Sequence, residues 1–138
     1  VHKWRSQEHA IMIGRKTKQN DNSILDVRNW NNIQNRKFIV SRNLEALDGF
    51  EIIKTNGKIL SANDLSKYLF NKKIQSIIIE GGLLTLNKFI ESNLWDEARV
   101  FKSDKKIYDG TNSPKLNLNY YKKTQIEKDT LYHFKNHE

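Results

Sequence analysis

The 138-residue chain has no cysteine, one proline (Pro114), one methionine (Met12) and six glycines. Without cysteine there is no disulfide and no thiolate-ligated zinc, and a reducing compartment, here read as the cytoplasm, is compatible. No apolar run approaches the length of a membrane span, and no signal peptide is visible in the sequence. His2, His9, His133 and His137 lack metal-ligand spacing, so no metal is expected. What remains is polar but foldable, with a hydrophobic fraction of 37% and a mean hydropathy of −0.76. The length suits one domain with a real core, 1–138, and neither an internal repeat nor a linker divides it. The chain begins at Val1, inside what reads as the last turns of a helix, so it is expected to be a fragment lacking its beginning.

Charge is the first positive signal. The net charge is +8 and the pI is near 9.6. This favours an anionic partner, either a phosphorylated small molecule or nucleic acid. The lysines and arginines are scattered rather than massed, and no exposed aromatic series accompanies them, which argues against nucleic acid.

The most informative stretch is Ile74 to Leu83. Four isoleucines in six residues suit a strand buried on both faces. Glu80-Gly81-Gly82 follows, then apolar positions at Leu83, Leu86, Phe89, Ile90 and Leu94 with helical spacing. A strand, glycines and a helix start can point backbone N–H groups at an anion, and glycine permits close approach. Glu80 would stand at the carboxyl end of its strand, where open α/β sheets bind ligands. Taken alone, Glu-Gly-Gly is equally a tight turn with no ligand.

Elsewhere, Ala10–Ile13 reads as a buried strand ended by Gly14, and Lys16 to Ser23 as a polar loop. Leu25 to Arg28 reads as extended, and Asn29 to Arg36 as a loop anchored by Trp30 and Ile33. Strands are expected at Lys37–Ser41 and Phe50–Lys54, with turns at Asp48-Gly49 and Asn56-Gly57. Ser61 with Asp64 signals a capped helix burying Leu65, Tyr68, Leu69 and Phe70. Glu97–Lys102 is a further strand, and an antiparallel hairpin ends the chain. The resulting class is α/β, with a mixed, mostly parallel sheet flanked by helices.

Several pieces stand in a specific order: Arg5-Ser6, then His9-Ala10-Ile11-Met12-Ile13-Gly14, Thr17, Asp21-Asn22-Ser23 and Leu25-Asp26-Val27-Arg28. Glu80-Gly81-Gly82 and Leu94-Trp95-Asp96-Glu97 follow later. This ordered set resembles the reductase domain of the bifunctional riboflavin-biosynthesis deaminase-reductase, of dihydrofolate-reductase-like fold. The resemblance covers most of the chain. It departs at Asp21-Asn22-Ser23, where the family has Asp-Asp-Pro, and losing proline loosens that loop.

The resemblance implies reduction of the ribosyl group of 5-amino-6-(5-phosphoribosylamino)uracil to a ribityl chain by NADPH. Hydride would pass from the nicotinamide to C1′ of the ring-opened ribose. Arg5, Leu25, Arg28 and Glu80 fall where the family binds substrate, the two arginines suiting a 5′-phosphate. Thr17, Asp21 and Ser41 fall on the dinucleotide side, as do Gly82, Leu83, Leu84, Thr85, Leu86, Asn87 and Lys88. No residue is assigned as the proton donor. The resemblance also implies a homodimer and an upstream zinc deaminase domain. The family's first strand, with further substrate and nicotinamide contacts, is expected ahead of Val1. Alternatives are a dihydrofolate-reductase-like enzyme acting on another pteridine or pyrimidine, a basic nucleic-acid module, and a degenerate domain kept for assembly.

Overall fold

The computed structural model describes residues 1–21, 25 and 35–137. The chain runs α1 (His2–Gln7), β1 (Ala10–Gly14), α2 (Arg15–Asp21), β2 (Arg36–Ser41), β3 (Glu51–Lys54), α3 (Ala62–Asn71) and β4 (Ile77–Ile79). It continues through α4 (Leu83–Glu91), β5 (Glu97–Lys102), β6 (Lys122–Ile126) and β7 (Asp129–Lys135). Four parallel strands form one sheet in the order β3-β2-β1-β4, and β5-β7-β6 form a separate antiparallel sheet. The parallel body and the C-terminal hairpin are as expected from the sequence.

β1 is the centre of the first sheet, and its apolar run packs on both faces. Ala10 and Met12 join Phe38, Ile53, Ala62, Leu65, Leu69 and Phe89 in one core. Ile11 and Ile13 join Ile39 and Leu25 in the other. Parallel strands covered on both faces must be apolar at successive positions, as β1 is. α3 is started by a capping box. Ser61 Oγ accepts from Asp64 N, and the Asp64 carboxylate accepts from Ser61 N. That pairing satisfies donors at both ends of the first turn.

Four expectations need correction. Lys16 onward is helix α2 rather than loop, at least to Asp21. The segment is polar all round, but it contains neither glycine nor proline, and its packing against β1 and β2 stabilises it. Phe70 is 75% exposed, because α3 turns Leu65 and Leu69 inward, away from Phe70. The Ile74–Glu80 stretch forms a strand only over Ile77–Ile79, and its isoleucines are half-buried. Among the described residues β4 pairs with β1 alone, so it lies at the sheet's edge. Leu25 is buried but adopts φ 55, which is left-handed rather than extended backbone. The anchors Trp30 and Ile33 lie outside the described residues.

Asn56 and Gly57 both have positive φ, and they turn the chain from β3 toward α3 rather than into a hairpin. The stretch 103–121 between β5 and β6 has neither helix nor strand and is largely exposed.

Among the described residues β4 and β5 each pair on one side only. α1 reaches both. Arg5 bonds Glu80, the residue after β4, and Trp4 packs on Phe101 of β5 at 5.7 Å between ring centroids. The Arg99 guanidinium, also from β5, lies 4.5 Å from the centre of the Trp4 ring.

Candidate functional site

After β1 the chain adds β2 and β3 on one side, then crosses to place β4 on the other. This reversal opens a crevice at the carboxyl ends of β1 and β4, the location where open α/β sheets take ligands. Gly14 ends β1, and Glu80-Gly81-Gly82 follows β4.

Thr17 from α2 and Thr85 from α4 close on these glycines. A Cβ on Gly81 would lie 2.8 Å from Thr17 Cγ2, and one on Gly82 would lie 3.1 Å from Thr17 Oγ1. A Cβ on Gly14 would meet Thr85 Oγ1 at 3.2 Å. The glycines are therefore required first by the packing of two threonines, before any ligand is considered. Gly82 also has φ 73, which glycine adopts without strain, and it serves as the N-cap of α4. It has no side chain to cap the helix. The first N–H groups of α4, from Leu83, Leu84 and Thr85, thus lack side-chain capping and face a positive helix end. This donor set fits a pyrophosphate, and the two threonine hydroxyls fit the polar groups of a dinucleotide.

Beside this turn is the most buried ion pair among the described residues. Arg5 Nε donates to Glu80 Oε1 and Arg5 Nη2 to Glu80 Oε2, both at 2.6 Å. The side chains are 13% and 18% exposed. The fork-to-carboxylate geometry is the strong form of this interaction. Asn35 supports it by donating from Nδ2 to the carbonyls of Arg5 and Glu8, which holds the C-terminal end of α1. Two residues expected to meet substrate separately are therefore joined to each other.

The other expected site residues divide. Thr17, Gly82, Leu83, Leu84 and Thr85 converge at the crevice. Leu86 and Asn87 follow in the first half of α4, where Leu86 N already donates to Gly82 O. Lys88 reaches away, with Nζ donating to the Leu60 carbonyl at 2.6 Å. Ser41 is buried at the carboxyl end of β2, and its hydroxyl accepts from Leu44 N. Leu25 packs with Ile11, Ile13 and Ile39. Asp21 ends α2. Arg28 lies outside the described residues. Sequence reasoning missed Asn35, whose only signal was its position in an asparagine-rich run just before β2. It also missed the support that Trp4 lends to α1. Among the described residues no group of acidic or histidine side chains could hold a metal. No helix among them is long and apolar enough to cross a membrane.

The fold has close counterparts. The Thermotoga maritima diaminohydroxyphosphoribosylaminopyrimidine deaminase/5-amino-6-(5-phosphoribosylamino)uracil reductase superposes with a TM-score of 0.83 at 16% identity. That match covers 98% of this chain and 47% of the other. Acinetobacter baumannii RibD gives 0.76 at 17% identity, covering 96% and 48%. The Saccharomyces cerevisiae riboflavin biosynthesis reductase Rib7 gives 0.75 at 15% identity, covering 97% and 77%. The chain thus spans about half the length of the first two. No curated protein matches the sequence. The RibD C-terminal domain model matches residues 1–128, and the chain belongs to that family.

Proposed function

We propose that this chain is the greater part of an NADPH-dependent reductase domain acting on 5-amino-6-(5-phosphoribosylamino)uracil in riboflavin biosynthesis. The observation that carries the reading is the crevice at the carboxyl ends of β1 and β4. There Thr17, Thr85 and the uncapped start of α4 converge within one residue of the Arg5–Glu80 pair. The division of labour is spatial. Gly82 to Thr85 offer N–H groups and a hydroxyl to the dinucleotide, with Thr17 alongside. Glu80 and Arg5 serve the substrate side, and Arg28 is assigned to the substrate by the family resemblance alone. When bound, the cofactor supplies the hydride. The described crevice residues offer hydrogen bonds, positive charge and shape but no free nucleophile, so their work is to bind, orient and exclude water.

The domain boundary belongs to the same reading. Among the described residues β4 and β5 each leave one side unpaired, and α1 contacts β5 and the end of β4 through adjacent residues, Trp4 and Arg5. One further strand from sequence ahead of Val1 would pair with both and complete the substrate side. The fragment alone is then poorly active. A zinc deaminase domain further upstream and a cytoplasmic homodimer complete the proposal.

Full-length protein is expected to oxidise NADPH when supplied with the deaminated pyrimidine phosphate, and not without it. No turnover of that substrate by well-folded full-length protein would overturn the assignment. Turnover of dihydrofolate in its place would move the enzyme to another substrate within the same fold.

A further inference from the structure

α1 is too short to hold its place alone. It has six residues, none of them buried, and its N-cap Val1 makes no side-chain cap hydrogen bond. Isolated helices of that length are not stable in water, so tertiary contacts set where it lies. Asn35 holds its C-terminal end, and the Arg5–Glu80 pair holds one side. Neighbouring helix positions project about 100° apart, so Trp4 points in a different direction from Arg5. A contact on one side lets a short helix roll about its axis, and a second contact at that angle stops the roll.

The second contact comes from the antiparallel sheet. Glu97, Arg99 and Phe101 alternate along β5 and share one of its faces. Trp4 lies on that face, its ring centroid 5.7 Å from that of Phe101 and 4.5 Å from the Arg99 guanidinium. Arg99 Nη2 donates in turn to Glu97 Oε2 at 3.3 Å. Arg99 Nε is buried with no hydrogen-bond partner among the described residues, so the indole face and Glu97 hold the guanidinium. Tryptophan is the best aromatic partner for such a cation.

We propose that Trp4, clamped by Arg99 and Phe101, is a positioning residue that fixes Arg5 for substrate binding. The inference rests on the reading above that Arg5 and Glu80 serve the substrate. A phosphate or pyrimidine group that engages Arg5 or Glu80 competes with their mutual ion pair. As that pair gives way, the Trp4 clamp keeps α1 in place and Arg5 aimed at the site. The antiparallel sheet thereby contributes to substrate affinity without supplying a substrate ligand. The dinucleotide reading rests on Thr17, Thr85 and the start of α4, none of which belongs to the clamp.

The test is steady-state kinetics of full-length protein with NADPH and the deaminated pyrimidine phosphate. The variants are Trp4→Ala, Trp4→Phe, Arg99→Gln, Arg5→Ala and the double variant Trp4→Ala/Arg5→Ala. Trp4→Ala should raise the substrate KM by about tenfold, the scale of a partly desolvated cation–π contact. The kcat and the NADPH KM should stay near native, which marks lost substrate binding rather than lost chemistry. Arg99→Gln should raise the substrate KM by about threefold, and Trp4→Phe should fall between native and Trp4→Ala. Once Arg5 is removed, Trp4→Ala should raise the substrate KM no further, because Trp4 acts through Arg5. Equal rises in the two KM values, or additive effects of Trp4→Ala and Arg5→Ala, would assign Trp4 a merely structural role and overturn the proposal. Where Trp4→Ala does not fold, a native substrate KM in both Trp4→Phe and Arg99→Gln would overturn it. A substrate KM raised by Arg5→Ala but untouched by the clamp variants would overturn the proposal alone. A native substrate KM in Arg5→Ala would overturn the substrate reading of Arg5, and the proposal with it.

Discussion

At the scale of single residues, the crevice is defined by space that glycine leaves and threonine takes. Gly81 has room for no Cβ while Thr17 keeps its Cγ2 methyl. Gly81→Ala should therefore destabilise the domain by about 1–3 kcal/mol, the usual cost of overpacking a tight contact. Thr17→Ser removes that methyl and keeps the hydroxyl. The double variant should recover much of the loss, and a double-mutant cycle by urea unfolding should show strong coupling. Additive effects would mean that the two residues do not share that space. The Arg5–Glu80 pair carries a similar lesson. Both residues were legible in the sequence as polar site residues, but their bidentate contact joins positions 75 apart. Nothing local to Arg5 or Glu80 encodes that meeting.

At the scale of elements, α3 shows how far local signals reach. Ser61 and Asp64 form the capping box that their spacing announces. The Asp64 carboxyl is held below its usual range, first by the hydrogen bond from Ser61 N and then by that from Ser61 Oγ. A carboxyl whose folded pKa is depressed adds stability above its unfolded pKa, and that contribution fades as pH falls through the folded value. Ser61→Ala should cost about 1 kcal/mol near neutral pH. It should also flatten the fall of stability below about pH 4, where an unperturbed Asp titrates. Thermal melts of native and variant protein across that range check both; the flattening should be partial, since the Ser61 N donor remains, and parallel pH curves would show that the Ser61 hydroxyl does not shift the Asp64 titration. α2 is the contrasting case. Its residues read as a polar loop, and only contact with β1 and β2 makes them a helix.

At the scale of the whole molecule, the division into two sheets is the decisive feature. Ser76 O accepts from Ala10 N, and Glu80 N donates to Met12 O. By the alternation of a parallel ladder, Ile78 then faces β1, while the amides of Ile77 and Ile79 face the open side. Edge strands this apolar are hazards that proteins normally cover. Hydrogen exchange should find the Ile77 and Ile79 amides of this 138-residue chain fast and that of Ile78 slow. In full-length protein all three should be slow. Persistent fast exchange at Ile77 and Ile79 there would show that no strand covers this edge.

The sequence by itself determined the class of the fold, most strands, the capped helix and the importance of Glu80-Gly81-Gly82. These depend on apolar periodicity, turn residues and capping, all of which act within a few positions. Only the tertiary structure decided that the isoleucine strand lies at an edge, since burial depends on neighbours distant in sequence. It decided that Phe70 faces outward and that Lys88 turns to the Leu60 carbonyl. It also decided which arginines have carboxylate partners. Charge count is a property of composition, but the pairing of Arg5 with Glu80 and of Arg36 with Glu51 follows from how the fold brings distant elements together.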